Sequence, residues 1–285
     1  MVNFPGHYIQ VRSVRKYPLP IAAHTLGYIG EVSPRILEEN DYYRMGDYIG
    51  ISGVEKSYEE ILRGQKGLRI VMVDVHNREM GSFEDGAHNI PPMQGQNLYL
   101  SLSADLQAYG ELLMQNKRGG IVAIEPSTGE ILASVSSPTY DPNLLVGNQR
   151  SKNYMELMKD NVNHTLFNRA IMTRYPPGST FKIVSGIAAL EEGIISANTT
   201  YSCGGGYNMG SHTIGCHPHP SPLTLNPAVA YSCNTYFCWA FKHFIDNPKF
   251  SSSQEGYERW RAYVNSLGFG VTVGTDFPNE LAGFV

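Results

Sequence analysis

The sequence predicts an α+β chain in two parts, residues 1–95 and 96–285, and three observations carry that expectation. Its 285 residues are 42% hydrophobic and 17% charged, enough apolar material for one large or two ordinary cores. The stretch Asn89-Ile90-Pro91-Pro92-Met93-Gln94-Gly95 is polar and proline-rich and precedes a change of pattern, as a linker does. Beyond it strand-like runs come first and helical periodicity follows, an order that suits helices packed on an antiparallel sheet.

In the first part, Tyr8-Ile9-Gln10-Val11-Arg12 and the run from Leu68 to Val75 read as short extended segments, and Ser57 to Leu62 as a short helix. The adjacent acids Glu38-Glu39 and Glu59-Glu60 fit solvated helix faces rather than acid/base pairs, because no catalytic constellation accompanies them. In the second part Leu98-Tyr99-Leu100-Ser101-Leu102 reads as a short strand. Ser103 is then a capping residue with Asp105 in the first turn, and Leu106, Tyr109 and Leu113 mark one face of a helix ending near Gly119. Ile121 to Glu125, the turn Pro126-Ser127-Thr128-Gly129, and Glu130 to Val135 form a β-hairpin signal. Helices near 154–160, 179–192, 227–245 and 255–267 follow, the second of them expected to pack on the sheet.

Charge and hydropathy exclude some classes. A net charge of −4 with scattered lysines and arginines offers no basic field for nucleic acid. No run of about 18 apolar residues exists, and Met1 to His7 lacks the basic start and apolar core of a secretion signal, so the sequence as it stands is expected to be soluble.

The chemistry concentrates in Tyr175-Pro176-Pro177-Gly178-Ser179-Thr180-Phe181-Lys182. Two prolines suit the approach to a helix, Ser179 suits its first turn, and Ile183, Ile187 and Leu190 recur at helical intervals until Gly193. Ser179 and Lys182 then lie one turn apart on one face. A lysine partly desolvated against apolar walls can take the proton of a serine hydroxyl, and the positive end of a helix favours the developing alkoxide. Ser-x-x-Lys alone also describes an ordinary capped, solvated helix start. Ser232-Cys233-Asn234 shifts the balance, since a Ser-x-Asn element accompanies Ser-x-x-Lys in the penicillin-recognising serine enzymes.

Longer runs carry a resemblance. Ile121-Val122-Ala123-Ile124-Glu125-Pro126-Ser127-Thr128-Gly129-Glu130-Ile131-Leu132-Ala133, then Asn168-Arg169-Ala170 and Tyr175 to Lys182, resemble the class B penicillin-binding proteins. Ala22 to Gly30 and Gly46 to Glu55 resemble the non-catalytic pedestal of the elongation-type members. The resemblance implies a pedestal, dimerisation-type domain at 1–95 and, at 96–285, the N-terminal part of a penicillin-binding transpeptidase domain of the serine β-lactamase-like fold. It implies a D,D-transpeptidase that cross-links peptidoglycan during cell elongation. Ser179 would attack the penultimate D-Ala carbonyl, Lys182 would take its proton, and Ser232 and Asn234 would relay protons and hold the substrate amide. An acceptor amine of a second stem peptide would resolve the acyl-enzyme, and β-lactams would trap Ser179. The implied partners are peptidoglycan stem peptides on lipid II-derived glycan strands, β-lactam antibiotics, and a membrane glycosyltransferase of the elongation machinery. The implied setting is the bacterial inner membrane, with a single N-terminal anchor and the catalytic domain in the periplasm. Asn168 and Arg169, just before the nucleophile, are expected to brace its loop.

Two features of the resembled family are missing from these residues: the anchor, and a Lys-Thr-Gly element on a strand beside the nucleophile, which should follow well beyond Asn234. Lys117-Arg118-Gly119-Gly120 precedes Ser179 and cannot fill that role. The second domain is therefore expected to lack its C-terminal strands and one oxyanion-hole amide, a loss worth about a hundred- to a thousand-fold in rate.

All four cysteines fall in one region, as Cys203, Cys216, Cys233 and Cys238. Cys203, Cys216, His219 and Cys233 form a Cys3His set of the kind that holds structural zinc, with His217 as an alternative nitrogen ligand. The resemblance adds that some relatives carry a metal between the Ser-x-x-Lys and Ser-x-Asn elements, with the middle residue of the latter, here Cys233, as a ligand. A Cys203–Cys216 disulfide and free buried thiols are the competing readings. Cys238 sits in an apolar helical run with the aromatics of 236–244 and reads as core. His7, His24, His76, His88, His164 and His243 read as structural or surface residues, and no organic cofactor is implied.

Two other functions fit part of the pattern. A β-lactamase or β-lactam sensor shares the first two motifs, though not the pedestal-like residues, and a non-enzymatic scaffold of the elongation machinery needs none of the chemistry. The 285-residue chain is expected to be inactive, or nearly so, on its own. Incubation with a fluorescent penicillin should leave Ser179 essentially unlabelled, and stoichiometric labelling would overturn that expectation.

Overall fold

The structure is a computed structural model, and residues 14–285 are described; Tyr8 to Arg12 and His7 lie outside them. The chain divides into two units, one running to Thr173 and taking in Thr275–Glu280, the other comprising Arg174–Gly274 and Leu281–Val285. The first holds α1 (Ala23–Leu26), β1 (Ile29–Glu31), α2 (Pro34–Glu39), β2 (Tyr48–Gly50), α3 (Gly53–Ser57), α4 (Glu59–Leu62), β3 (Val71–Val73) and β4 (Glu79–Ser82). It continues with α5 (Ala104–Leu113), β5 (Gly119–Ile124), β6 (Ile131–Ser137), α6 (Arg150–Met158) and α7 (Arg169–Met172). The second holds α8 (Phe181–Glu191), β7 (Gly206–Met209), β8 (His212–Gly215), α9 (Leu225–Ala230), α10 (Asn234–Ile245) and α11 (Ser253–Ser266). Among the described residues the strands pair as four two-stranded antiparallel ribbons. Among the described residues no helix is long and apolar enough to cross a membrane.

In the first unit the pedestal-like segments are pressed together through their glycines. Gly27 and Gly53 have φ of +78° and +58°, and a Cβ on Gly27 would lie 1.8 Å from the Ser52 carbonyl oxygen. Only glycine permits both the left-handed backbone and that approach. β1 and β2 pair in this region, with Gly30 opposite Ile49. Glu59 is not a solvated acid: it accepts the Tyr43 hydroxyl at 3.0 Å and the Gly50 amide at 2.8 Å. Glu38, Glu39 and Glu60 are exposed, as expected.

The segment expected as a linker is instead paired. Ile90 and Met93 donate to the carbonyls of Leu68 and Gln65 at 2.8 and 2.9 Å, and the two prolines, which have no N–H to offer, fall between those bonds. Of the extended run expected at 68–75 only Val71–Val73 forms a strand. Leu98 to Leu102 forms none, because the chain there meets β6 by single bonds, Ser101 Oγ to Ile131 O at 2.8 Å and Ser103 N to Leu132 O at 2.9 Å.

The β5–β6 hairpin forms as read, with Gly119 opposite Ser137 and Ile124 opposite Ile131. α5 is capped by Ser103, whose Oγ accepts the Leu106 amide at 3.3 Å, but it turns the unexpected face inward. Leu106, Tyr109 and Leu113 are 37, 57 and 45% exposed, while Gln107 is 1% exposed. The Gln107 carboxamide accepts from Ser134 N at 2.9 Å and donates to Ser134 O at 3.1 Å, so it satisfies the backbone of β6 where a third strand would. Thr25 Oγ1 donates to the same carbonyl at 3.1 Å. Asn168 caps α7 through Oδ1 and the Ala170 amide at 3.1 Å, and the buried Arg169 guanidinium donates to the carbonyls of Asn163, His164 and Phe167. Both residues thus brace 163–172, not the loop before Ser179.

In the second unit α8 packs on α9, α10 and α11. Ile183, Ile187 and Leu190 are 55, 43 and 37% exposed, and the helix buries Gly186, Ala188 and Ala189 instead. Small residues let the helix axes approach, and Phe237 and Leu225 fill the space beside Gly186. The core continues through Leu223, Ala228, Tyr236, Ala240 and Phe244, so the aromatics of α10 are core as expected. The helix read as 227–245 is broken: α9 ends at Ala230 and α10 starts at Asn234.

His24 is half-buried with Nε2 2.8 Å from the Thr165 carbonyl, and desolvation pushes its pKa down from 6.5 to about 4. The unfolded chain therefore binds a proton between those pH values that the folded chain refuses, so stability falls as pH drops through that window. Thermal melts across it should show a shallower pH slope for His24→Gln, which keeps a donor for Thr165, than for the native chain.

Candidate active site and metal centre

Ser179 lies in a 3₁₀ turn, Gly178–Thr180, that runs directly into α8. Gly178 enters it at φ +61°, and Thr180 Oγ1 donates to the Pro177 carbonyl at 2.6 Å, which closes the turn. Ser179 is exposed, and among the described residues its hydroxyl makes no hydrogen bond, so only the helical spacing relates it to Lys182. Lys182 is half-buried and makes three contacts: Nζ is 2.6 Å from Ser232 O, 2.9 Å from Ser232 Oγ and 2.6 Å from Asn234 Oδ1. Lys182, Ser232 and Asn234 are thus brought together across 50 residues of sequence.

Burial lowers the Lys182 pKa below its ordinary value, and the nearby thiols of Cys216, Cys233 and Cys238 act in the opposite sense. An ammonium can donate to all three acceptors. A neutral amine has two N–H groups and one lone pair, and the Ser232 carbonyl can only accept. The cluster can therefore hold a lysine in either state and pass a proton to or from a hydroxyl.

The turn that creates this cluster is a helix stop. Ser232 has φ +52°, its amide donates to Val229 O at 3.0 Å and the Cys233 amide to Ala228 O at 2.9 Å. That pair of bonds is the Schellman ending of α9, with serine in the left-handed position that glycine usually fills. Cys233 then caps α10, its Sγ accepting the Tyr236 amide at 3.3 Å. One turn thus aims the Ser232 carbonyl and hydroxyl at Lys182, buries Cys233, and starts α10 with Asn234.

The four residues read as a zinc set do converge. The donor atoms of Cys203, Cys216, His219 and Cys233 all lie within 4.8 Å of one another. Cys216 Sγ is 3.9 Å from Cys233 Sγ and 3.3 Å from His219 Nε2. Zinc bonds of about 2.3 Å to sulfur and 2.0 Å to nitrogen place tetrahedral donors roughly 3.5–3.8 Å apart, so the set fits the ion. His219 Nδ1 lies 2.7 Å from the Pro220 carbonyl, which holds the ring proton there and turns the Nε2 lone pair toward the sulfurs. Burial favours the neutral form of all three thiols. It pushes Cys233 up to about 11, whereas Cys203 and Cys216 end below the ordinary value because Thr235 and backbone amides, those of Asn234 and Thr235 among them, hydrogen-bond the sulfurs. All four cysteines are free, so no disulfide joins Cys203 to Cys216. His217 stacks edge-on against His219 and stands outside the set, as does half-buried Cys238.

Sequence reasoning missed the groups that hold these side chains in place. The Gly215 carbonyl accepts from Asn234 Nδ2 at 2.8 Å, and Thr235 Oγ1 lies 3.2 Å from Cys203 Sγ. Neither residue type stands out, and only adjacency to Cys216 and Asn234 could have drawn attention to them.

A Ser-x-x-Lys helix start facing a Ser-x-Asn turn defines a class, and comparison with known proteins agrees with it. Residues 119–285 match the penicillin binding protein transpeptidase domain, and residues 1–100 match the penicillin-binding protein dimerisation domain. The chain is 35% identical to the peptidoglycan D,D-transpeptidase MrdA of Acinetobacter baumannii over 291 residues, covering 99% of this chain and 40% of that protein. It is 31% identical to the MrdA of Escherichia coli K12, covering 99% of this chain and 44% of that protein. The solved complex between penicillin-binding protein PBP2 and MreC from Helicobacter pylori superimposes with a TM-score of 0.79 at 30% identity, over 94% of this chain and 48% of that one. The chain belongs to the penicillin-binding protein transpeptidase family, with the dimerisation domain preceding the catalytic one. It spans less than half the length of these relatives.

Because Ser232 sits at φ +52°, its backbone can be tested apart from its hydroxyl. Ser232→Gly should leave the melting temperature equal to or above that of the native chain, whereas Ser232→Val, β-branched in a left-handed position, should cost about 1–2 kcal/mol in chemical denaturation.

Proposed function

We propose that this chain forms the pedestal, residues 1–95, and the nucleophile-bearing part, residues 96–285, of an elongation-type peptidoglycan D,D-transpeptidase. The observation that carries the reading is the contact of Lys182 Nζ with both Ser232 Oγ and Asn234 Oδ1, one helical turn from Ser179. The domain matches and the D,D-transpeptidase relatives support it.

In this reading Ser179 Oγ attacks the penultimate D-Ala carbonyl of a stem peptide while Lys182 takes its proton. Ser232 Oγ passes a proton toward the departing D-Ala amine, and Asn234 orients the substrate amide. The amine of a second stem peptide then displaces Ser179 and completes the cross-link. β-Lactams stop the cycle at the acyl-enzyme. The enzyme works on the outer face of the bacterial inner membrane, held by a single anchor and paired with a membrane glycosyltransferase that supplies glycan strands. Cys203, Cys216, His219 and Cys233 would hold a zinc ion in a structural role, and their convergence would then tie the loop around Gly204-Gly205-Gly206 to the Ser232–Asn234 turn.

This chain joined at Val285 to the C-terminal part of a relative that carries a Lys-Thr-Gly element should be labelled by fluorescent penicillin at Ser179. Ser179→Ala should abolish labelling and Lys182→Ala should slow it by at least about a hundred-fold; undiminished labelling of Ser179→Ala would sink the proposal. Since the neutral lysine is the base and burial lowers its pKa, the labelling rate should rise with pH through an inflection below 10.5. Metal analysis of the purified 285-residue chain should return one zinc per chain, retained in Cys238→Ser and lost in Cys216→Ser.

A further inference from the structure

We infer that Gly215 is a positioning residue: its carbonyl, one residue before Cys216, orients the Asn234 carboxamide so that only Oδ1 faces Lys182, and this couples the metal ligands to the lysine through one hydrogen bond. The inference rests on the reading of Cys203, Cys216, His219 and Cys233 as zinc ligands.

A carboxamide has an accepting end and a donating end, and either can face a lysine that has lost its proton. Gly215 O can only accept, and at 2.8 Å it claims Nδ2. Oδ1 is thereby left to Lys182 Nζ at 2.6 Å. With the Ser232 carbonyl also 2.6 Å from Nζ, both N–H groups of a neutral Lys182 have acceptors, and its lone pair is left to face the Ser232 hydroxyl at 2.9 Å. Were the carboxamide reversed, Nδ2 would donate into that lone pair and compete with the serine proton, and Oδ1 would face the Gly215 carbonyl oxygen. The hydrogen bond to Gly215 thus protects the basicity of the lysine.

Side-chain packing does not hold Gly215 where it is needed: β8 is exposed along its whole length, and a Cβ built on Gly215 meets nothing within 4 Å. Backbone bonds hold it, through its pairing with Gly206 in the β7–β8 ladder and through the residue that follows. Cys216 N donates to Gly205 O at 2.8 Å, and Cys216 Sγ lies within the ligand set, 3.9 Å from Cys233 Sγ. A metal bonded to Cys216 and Cys233 pins the end of β8 to the first turn of α10, and with it the distance from Gly215 O to Asn234.

Coupling of this kind is reciprocal, so it can be read from the metal side. In the ¹⁵N-labelled, zinc-loaded 285-residue chain, the Asn234 side-chain NH2 signals are identified by their loss in Asn234→Ala. Removing zinc with a chelator should shift them and speed their exchange with solvent. In competition with a chromogenic chelator, Asn234→Ala should bind zinc about five- to twenty-fold more weakly than the native chain, and Lys182→Met, which leaves the Asn234–Gly215 bond intact, should stay within about two-fold. Asn234 signals that ignore zinc removal overturn the inference while leaving the metal reading standing, and so do equal affinities for Asn234→Ala and the native chain. A native chain that takes up no zinc overturns both. The response to zinc removal is read in the native chain, and Asn234→Ala serves there only to identify the signals.

Discussion

The contact between Lys182 and the Ser232 carbonyl is the constraint on which the rest of the second unit turns. It exists because α9 ends in a Schellman stop with Ser232 in the left-handed region. A serine there carries a conformational cost that a glycine would avoid, and the return is a carbonyl, a hydroxyl and the next helix's first residue all facing one amine. Had the helix run on through 230–234, those three groups would have spiralled to different sides. The same turn buries Cys233 and makes it the cap of α10, so the contacts of Lys182 and the Cys3His cluster share a backbone hinge of three residues.

Close approach of α8 to α10 is the second requirement. Gly186, Ala188 and Ala189 face the core, and Phe237 beside Gly186 lies 5.9 Å from Lys182 Nζ by its ring centroid. That apolar wall desolvates the amine and lowers its proton affinity, while the neighbouring sulfurs counteract it. The site therefore sets the basicity of Lys182 by the competition between a helix–helix contact and a thiol cluster. The hydroxyl of Ser179 is left exposed and without a partner among the described residues.

Some of this was legible in the sequence because it is written in local chemistry. The prolines before Gly178, the capping Ser103, and the turn Pro126 to Gly129 each announce an element boundary by backbone geometry alone. Cys203, Cys216, His219 and Cys233 could be grouped by residue type, since few other side chains bind zinc. Which faces of α5 and α8 turn inward was not legible. Leu106, Tyr109 and Leu113, and likewise Ile183, Ile187 and Leu190, have helical spacing, yet spacing says which residues share a face and not which face is buried. Gln107 faces inward because β6 offers it two backbone groups, and Gly186 because α10 comes close, and both are facts about neighbours distant in sequence.

By itself, then, the sequence determined the α+β class, the position of Ser179 one turn before Lys182, and the identity of the groups that could act as nucleophile, base and metal ligands. Those depend on residue type and on separations of a few residues. Tertiary structure alone decided that the helix breaks at Ser232, that Lys182 meets Ser232 and Asn234, and that four metal-binding atoms converge beside the same turn. The break carries no glycine or proline to signal it. It is stabilised by long-range contacts, the amine of Lys182 on one side and the sulfur cluster on the other, and such contacts form only once α8 and α10 pack.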